Sequence, residues 1–282
     1  MPIDLDLALS STYGPTPDSW DADRVLLYHL GLGAGASLEE AELAYVNERN
    51  LKVLPTFSVI PAFEAALPAI RGPGLDYNVA RMLHGEQELQ VFAPLPPVAE
   101  IVTTPTVESV WDKGKAAVIV VRADTNLADG TPLCSNRFKL FARGEGGFGG
   151  DPGPKAEVPV PEGEPTRIFE IPTLPQQAAI YRLSGDRNPL HIDPGFARRG
   201  GFDRPILHGL CSWGMVCKGV VDELLAGDVT AVAGWSARFA GSVYPGETLV
   251  VRAWHRQKDI LVEAGVKESG AVALSNAVLT LT

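Results

Sequence analysis

The densest cluster of polar side chains in this 282-residue chain lies in the segment 181–212, YRLSGDRNPLHIDPGFARRGGFDRPILHGLCS. Asp186 and His191 are five positions apart with Pro189 between them, which forbids a simple helical face and favours a looped turn. Such a turn can aim a carboxylate and an imidazole at one point, and these groups activate water by general acid–base catalysis. The same D-R-N-P sequence also suits a turn whose Asp and Asn side chains only bond their own backbone, so a structural role stays open.

His208 and Gly209 open an apolar run, residues 207–227, that predicts a helix buried on nearly every face. The first N–H groups of a helix have no intrahelical partner, and Gly209 allows a ligand to come close to the backbone. The positive end of the helix dipole adds to this effect, so the start of the helix is a candidate oxyanion site. An acid–base pair followed about twenty residues later by an oxyanion donor indicates reaction beside a carbonyl group.

Five strands are predicted from β-branched or alternating apolar residues, and short turns containing Gly or Asp join them into antiparallel meanders. They span residues 116–123, 136–143, 248–256, 259–268 and 271–282. A capping box at residues 37–40 predicts a further helix over residues 38–50. The second half is therefore expected to hold one buried helix wrapped by an antiparallel sheet.

A stretch rich in Gly and Pro divides the chain. From 144 to 165, 12 of 22 positions are Gly or Pro, which predicts an exposed connector between an N-terminal domain (1–143) and a C-terminal domain (166–282). In each half a tryptophan, Trp111 or Trp254, precedes a strand, and an S-N pair opens the last strand of that half. This echo favours duplication of one α+β unit, with a chance likeness of two hairpins as the alternative.

Composition excludes several classes of protein. The formal net charge of −10 argues against a nucleic-acid binder, which needs a basic face. Three cysteines cannot all pair and none stands in a C-x-x-C, so no disulfide scaffold or cysteine zinc site is expected. The N-terminus has no basic n-region, and no apolar run approaches the ~18–20 residues of a membrane helix. His29, His255, Cys211 and Cys217 belong to no such cluster and are expected to be structural.

The segment 181–191, with F-x-R-P-I-L-H-G at 202–209, resembles the hydratase 2 motif of MaoC-like (R)-specific enoyl-CoA hydratases. LHGEQ at 83–87, WDKG at 111–114 and ARFAGSVYPGETL at 237–249 are similar to segments of two-domain hydratase 2 proteins, including the hydratase part of peroxisomal multifunctional enzyme type 2. The resemblance covers nearly the whole chain in order.

The resemblance implies an α+β double hot-dog fold, in which two antiparallel sheets are each wrapped on a helix. It also implies that the helix region of the N-terminal half is degenerate and leaves room for a long acyl chain. Four prolines interrupt residues 50–80, and the first half has no D-x-N-P-x-H, so the C-terminal half is expected to be catalytic.

The implied reaction is reversible syn addition of water to a trans-2-enoyl-CoA, which yields the (3R)-3-hydroxyacyl-CoA. By the same resemblance, Asp186 and His191 hold and activate the water, Asn188 positions His191 or the water, and the N–H of Gly209 binds the thioester oxygen. Contacts with the acyl-CoA are implied for His84, Gly85, Lys113, Arg182, Leu183, Ser184, Gly185, Arg187 and Phe239. No metal or redox cofactor is expected, because the thioester itself accepts the electron pair.

Three other functions stay open, because one fold serves many activities. They are an acyl-CoA thioesterase, a 3-hydroxyacyl dehydratase whose substrate is held by a carrier protein, and a non-catalytic acyl-CoA-binding subunit. A cytoplasmic homodimer is expected, without nucleic-acid or membrane partners, and the C-terminal LTLT is not a peroxisomal S-K-L signal. Straight, branched and steroid side-chain acyl groups all stay possible.

Overall fold

A computed structural model describes residues 3–78, 81–154, 161 and 163–282. The helices are α1 (Leu5–Ser10), α2 (Ala22–Gly31), α3 (Glu40–Leu43), α4 (Val59–Ile70), α5 (Gln177–Tyr181), α6 (Pro194–Arg199) and α7 (Gly209–Leu224). The strands are β1 (Thr16–Trp20), β2 (Met82–Val91), β3 (Ala99–Asp112), β4 (Ala116–Leu127), β5 (Pro132–Arg143), β6 (Arg167–Pro172), β7 (Val232–Phe239), β8 (Thr248–His255), β9 (Asp259–Val266) and β10 (Val272–Leu281). Over these residues, no helix combines the length and the apolar character needed to cross a membrane.

Two compact units are interleaved along the sequence. The first holds Met1–Asp18, Ser58–Ala93 and Glu100–Val158, and the second holds Ser19–Phe57, Pro94–Ala99 and Pro159–Thr282. Part of the N-terminal sequence clusters with the second unit because α2 packs against α5 and the turn that follows it. The predicted boundaries at 143 and 166 fall between β5 and β6, and the division of the chain into two contiguous domains stays a prediction.

The first unit contains four antiparallel strands in the order β3-β4-β5-β2. Burial alternates along most of β3, so one face of this strand is apolar and covered while the other is exposed or half-buried. Helix α4 packs against β4, and eight of its twelve residues are buried. A helix on an antiparallel sheet is the predicted hot-dog arrangement.

Helix α4 corrects the expectation that this region is degenerate. It runs through Pro61 and Pro68 without interruption. Pro61 lies in the first turn, where its missing N–H would have no intrahelical partner in any case. Pro68 removes one bond near the C-terminal end, and burial of the surrounding alanines and isoleucines holds the helix together.

The second unit contains five antiparallel strands in the order β7-β10-β9-β8-β6. Helix α7 packs against β6, β7 and β8. One of its buried residues is Trp213, whose carbonyl oxygen accepts a 3.1 Å hydrogen bond from Trp235 Nε1. The buried helix predicted over 207–227 and its sheet are thus confirmed. Together the units have the predicted α+β double hot-dog architecture.

The capping box predicted at 37–40 does not form. Helix α3 has only four residues, begins after Glu39 and receives no side-chain cap. The Ser37 hydroxyl instead accepts the N–H of Glu39 at 3.3 Å, two positions away. Glu42 accepts the N–H of Gly35 at 2.8 Å, so these side chains build a local turn in place of a longer helix.

The strand predictions succeed for β4, β5, β8, β9 and β10, whereas β1, β2, β3, β6 and β7 were not predicted. The two S-N pairs of the proposed repeat differ in environment. Asn136 is buried in β5 and donates to the Ser58 hydroxyl at 3.2 Å. Asn276 lies at an irregularity of β10 with a φ of 53°, so these two positions do not support the duplication.

Part of the predicted connector is anchored. The Asp112 carboxylate accepts N–H groups from Gly114, Gly147 and Gly149, each at 2.8 Å. The first residues after β5 therefore fold back onto the end of β3. Residues 155–160 and 162 of the connector lie outside the described residues.

Candidate active site

The loop between α5 and α6 carries the predicted acid–base pair. Asp186 Oδ1 accepts the N–H of Asn188 at 3.0 Å, and Asn188 Oδ1 accepts the N–H of Leu190 at 3.1 Å. These two side chain–backbone bonds form successive tight turns that bring His191 back towards Asp186. Asn188 is exposed and its oxygen accepts the N–H of Leu190, and its role in positioning His191 or the water stays a prediction.

His191 is buried, and its hydrogen bonding determines which ring nitrogen carries the proton. Nδ1 lies 2.8 Å from the carbonyl oxygen of Ile206. Because a carbonyl oxygen can only accept, Nδ1 donates, and the neutral ring keeps a lone pair on Nε2. This Nε2 lies 4.0 Å from Asp186 Oδ2. A carboxylate oxygen and an unprotonated imidazole nitrogen thus face the same small space.

We expect the acidic limb of the kcat/KM profile to lie below pH 6.5. Burial lowers the pKa of His191 below its ordinary value of 6.5, against the opposing effects of the Ile206 carbonyl and the Asp186 charge. His191 must be neutral to accept a proton, so activity should persist as the pH falls below 6.5, until this imidazole protonates. Measuring kcat/KM from about pH 4 to 9 checks this, and a midpoint above 6.5 contradicts it.

The N-terminus of α7 presents the predicted oxyanion donor. The N–H groups of Cys211 and Ser212 donate to the His208 carbonyl at 3.1 and 3.2 Å, which leaves the Gly209 N–H outside the helical ladder. No side chain caps this helix within the described part of the chain. A Cβ at Gly209 would lie 3.0–3.4 Å from the ring of Phe239, so this ring lies directly beside the donor.

Gly209→Val is expected to lower kcat by about 10²–10³-fold, the cost of losing one oxyanion donor. The Cβ already meets the Phe239 ring at 3.0 Å, and the two further methyl groups would cover the N–H and displace the ring. Gly209→Ala, which requires a smaller shift of that ring, should lose less activity. Steady-state kinetics and thermal melting test the pair. A Val variant with full turnover and unchanged stability would show that this N–H is not the donor.

Five of the predicted acyl-CoA contacts lie in the second unit, in or next to the loop that carries Asp186 and His191. Leu183, Gly185 and Arg187 are exposed, whereas Ser184 is buried and Arg182 is half-buried. Arg182 Nε and Ser184 Oγ are buried without a hydrogen-bond partner among the described residues. Gly185 has a φ of 152°, a conformation that favours glycine, so the chain can turn between Ser184 and the Asp186 carboxylate.

Of the other four predicted contacts, three lie in the first unit and Phe239 lies in the second. His84 is half-buried in β2, where its Nε2 donates to the Glu86 carbonyl at 3.1 Å. Gly85 occupies a register shift of this strand. Lys113 is exposed, with its Nζ 5.6 Å from the ring centroid of Trp111. For all the predicted acyl-CoA contacts, including Phe239, binding to the substrate stays a prediction.

The sequence reasoning assigned no role to the His208 side chain, which belongs to the same site. Its ring stacks on His191 with 3.7 Å between centroids and 28° between planes. Its Nε2 lies 3.2 Å from the Asp186 carbonyl oxygen. Burial lowers the pKa of His208 to about 2, so the ring is neutral. The recognisable signal was its position directly before the helix that carries the oxyanion donor.

The supporting role of α2 was also not predicted. Gln177 Nε2 donates to the Gly31 carbonyl at 2.6 Å, and the Tyr28 ring lies 5.9 Å from that of Tyr181. Tyr181 in turn lies 5.0 Å from the His208 ring. Residues about 150 positions before the motif therefore support the helix and turn that lead into it.

His29, Cys211 and Cys217 were predicted to be structural residues. His29 donates from Nδ1 to the Tyr45 carbonyl at 2.7 Å and accepts the N–H of Leu54 at Nε2, so both ring nitrogens are used by backbone groups. Its burial lowers the pKa to about 4. Cys211 and Cys217 are buried, and burial raises the pKa of each thiol, as expected for inert side chains.

Asp186, His191 and His208 offer donor atoms within 4.8 Å of one another, a set that invites comparison with a metal site. The expectation that no metal is needed at this site stays a prediction.

Comparison with known proteins agrees with this geometry. Residues 19–144 match the MFE-2 hydratase 2 N-terminal domain family, and residues 157–277 match the MaoC-like domain family. The enoyl-CoA hydratase ChsH3 of Mycobacterium tuberculosis is 49% identical over 257 residues, which cover 90% of each chain. The peroxisomal enoyl-CoA hydratase 2 of Arabidopsis thaliana is 36% identical over 287 residues, covering 96% of this chain and 93% of that one.

A crystal structure of a MaoC-like dehydratase from Phytophthora capsici covers 99% of this chain and 98% of its own, at 30% identity and a TM-score of 0.89. The likeness thus extends over both units and includes the segment that holds the acid–base pair. The chain belongs to the MaoC-like hydratase 2 family of enzymes.

Proposed function

We propose that this enzyme catalyses reversible syn hydration of trans-2-enoyl-CoA to (3R)-3-hydroxyacyl-CoA in fatty-acyl or related metabolism. The observation that carries the proposal is the pairing of Asp186 Oδ2 with the unprotonated Nε2 of His191 at 4.0 Å. A water molecule with hydrogen bonds of about 2.8 Å to both atoms spans this gap at an angle of about 90°. Its two protons then point at the two acceptors, and a lone pair is free to attack carbon.

Addition begins when His191 Nε2 takes one proton from this water while its oxygen bonds to C3. The π electrons of the double bond move towards the thioester, and negative charge develops on the thioester oxygen. The N–H of Gly209 at the N-terminus of α7 stabilises this charge. Asp186 stays ionised, orients the water and stabilises the imidazolium that forms.

The second step returns the proton from the imidazolium to C2 on the same face, which restores the thioester carbonyl. The sum is one water added, with hydroxyl at C3 and hydrogen at C2, and His191 is neutral again. Dehydration is the same sequence in reverse. No metal or redox cofactor enters this scheme, since the thioester accepts and returns the electron pair.

The coenzyme A part of the substrate is proposed to lie near Arg182, Ser184 and Arg187. The segment 182–204 carries five arginines against three aspartates in a chain of net charge −10, a local excess suited to phosphate groups. The buried Arg182 Nε and Ser184 Oγ, which lack partners among the described residues, are available for polar groups of the thioester. Straight, branched and steroid side-chain acyl groups are all candidate substrates.

We further propose that the enzyme works as a cytoplasmic homodimer. Cys134, Cys211 and Cys217 are free and buried, which fits a reducing compartment. The name of the Arabidopsis relative places that protein in the peroxisome, so the compartment has to be measured by fractionation of the producing cells. Light scattering after gel filtration tests the dimer.

The test of the reaction follows the loss of enoyl-thioester absorbance with a short and a medium trans-2-enoyl-CoA, then determines the chirality of the product. Formation of the (3R) alcohol is the expected result. Release of free coenzyme A, detected with a thiol reagent, would instead mean a thioesterase. Activity with a carrier-protein thioester but not with coenzyme A would identify a carrier-dependent dehydratase, and no turnover on any thioester would favour a binding subunit.

A further inference from the structure

His208 occupies a position that links the three groups of the proposed reaction. Its backbone carbonyl accepts the first helical bonds of α7, from Cys211 and Ser212, and its next residue is the oxyanion donor. Its side chain reaches in the other direction, to the loop that carries the acid–base pair. The residue is 1% exposed, so these contacts are made in the interior.

The hydrogen bond of this side chain has a defined direction. Nε2 lies 3.2 Å from the carbonyl oxygen of Asp186, and a carbonyl oxygen only accepts, so Nε2 carries the proton. Nδ1 then holds a lone pair, and it is buried without a partner among the described residues. A buried acceptor without a partner is unfavourable, so an imidazole is a poor choice here for packing alone.

The ring itself is held between two aromatic neighbours. It stacks on His191 at 3.7 Å, and Tyr181 approaches at 5.0 Å with 51° between the planes. Because His208 is neutral, it covers one face of His191 without opposing the positive charge that His191 gains when it accepts a proton. Burial, followed by the charges of His191 and Arg182, lowers the pKa of His208 against the opposing effect of the Asp186 carbonyl, which keeps the ring neutral.

We propose that His208 is a positioning residue: its Nε2–H holds the Asp186 backbone, so that the carboxylate and the His191 imidazole stay at the reactive separation, while its neutral ring packs against His191. This inference rests on the proposed hydratase function. Since His208 is also the N-cap residue of α7, it keeps the pair in register with the Gly209 N–H. In this scheme His208 acts through Asp186 and His191 and takes no part in proton transfer.

Two variants separate the donor from the ring. His208→Phe keeps an aromatic ring on His191 but removes the Nε2–H, whereas His208→Gln replaces the ring by an amide that can donate from the same position. We expect His208→Phe to lower kcat by about ten- to a hundredfold, because the Asp186 carbonyl loses its partner and the carboxylate shifts. His208→Gln should stay within about threefold of the wild-type kcat. KM should change by less than about threefold in both variants, since neither substitution alters the interactions that the substrate and the transition state share.

The measurements are kcat and KM with a trans-2-enoyl-CoA for the three proteins, with circular dichroism and thermal melting as checks on folding. Failure of the wild type to hydrate the substrate contradicts the proposed function. Wild-type hydration together with a His208→Phe variant of unchanged kcat contradicts the present inference alone. Equal losses in both variants also overturn it, because the donor would then not matter. If His208→Phe does not fold, His208→Gln decides, since the inference requires it to stay active.

Discussion

Asp186→Asn is expected to lower kcat by about 10²–10⁴-fold, the range of general acid–base contributions. The substitution is nearly isosteric, and the amide oxygen can still accept the N–H of Asn188, so the turn should persist. What is lost is the negative charge and the acceptor that faces His191 Nε2 at 4.0 Å. The water would lose one of its two acceptors, and the imidazolium would lose the charge that stabilises it.

The matched control is Asp193→Asn, which removes the same charge seven positions away. Asp193 caps α6 by accepting the N–H groups of Gly195 and Phe196, and asparagine caps helices equally well. Its kcat should therefore match that of the wild type. Steady-state kinetics on both variants and the wild type give the answer. An Asp186→Asn enzyme with kcat close to that of Asp193→Asn would remove this carboxylate from the mechanism.

His191→Gln is expected to cause a loss of similar size, about 10²–10⁴-fold in kcat with little change in KM. Glutamine can still donate towards the Ile206 carbonyl but offers no basic nitrogen, so the proton of the attacking water has no acceptor other than Asp186. The loss should appear at every pH, because no titration restores a base. In the wild type, by contrast, activity should fall only when His191 protonates.

His255→Gln is the control for removal of an imidazole, because this side chain is exposed at the end of β8. It should behave as the wild type in kcat, KM and thermal melting. Should His191→Gln retain more than about a tenth of the wild-type kcat while folded, His191 would be a support of the loop and not the base.

The α4 helix shows why the first unit was harder to predict than the second. Prolines at four positions indicated a broken region, and local propensity alone favours that interpretation. The helix forms nonetheless, since one proline lies in its first turn, eight of its twelve residues are buried and the helix packs against β4. Tertiary packing thus outweighs a local penalty of about 3 kcal/mol for an interior proline.

Five strands were predicted to within a few residues at most ends, whereas β1, β2, β3, β6 and β7 were not. The N-terminal residues of β2, MLHGEQ, form a largely polar stretch with a glycine. The register shift around Gly85 interrupts the alternation of side chains between the two faces of the strand. Such an irregular strand obtains most of its stability from neighbours across the sheet, and those neighbours are distant in sequence.

The sequence by itself identified the groups of the candidate site: a carboxylate and an imidazole on a proline-containing turn, followed by a glycine at the start of an apolar helix. These are local features, since turn formation and helix termination depend on residues a few positions apart. The tertiary structure alone decided which nitrogen of His191 is free, because the Ile206 carbonyl fixes the proton on Nδ1. It also decided that His208 stacks on this ring and that α2 supports the site from far upstream. Such contacts arise when distant segments share one core, and no spacing within the motif records them.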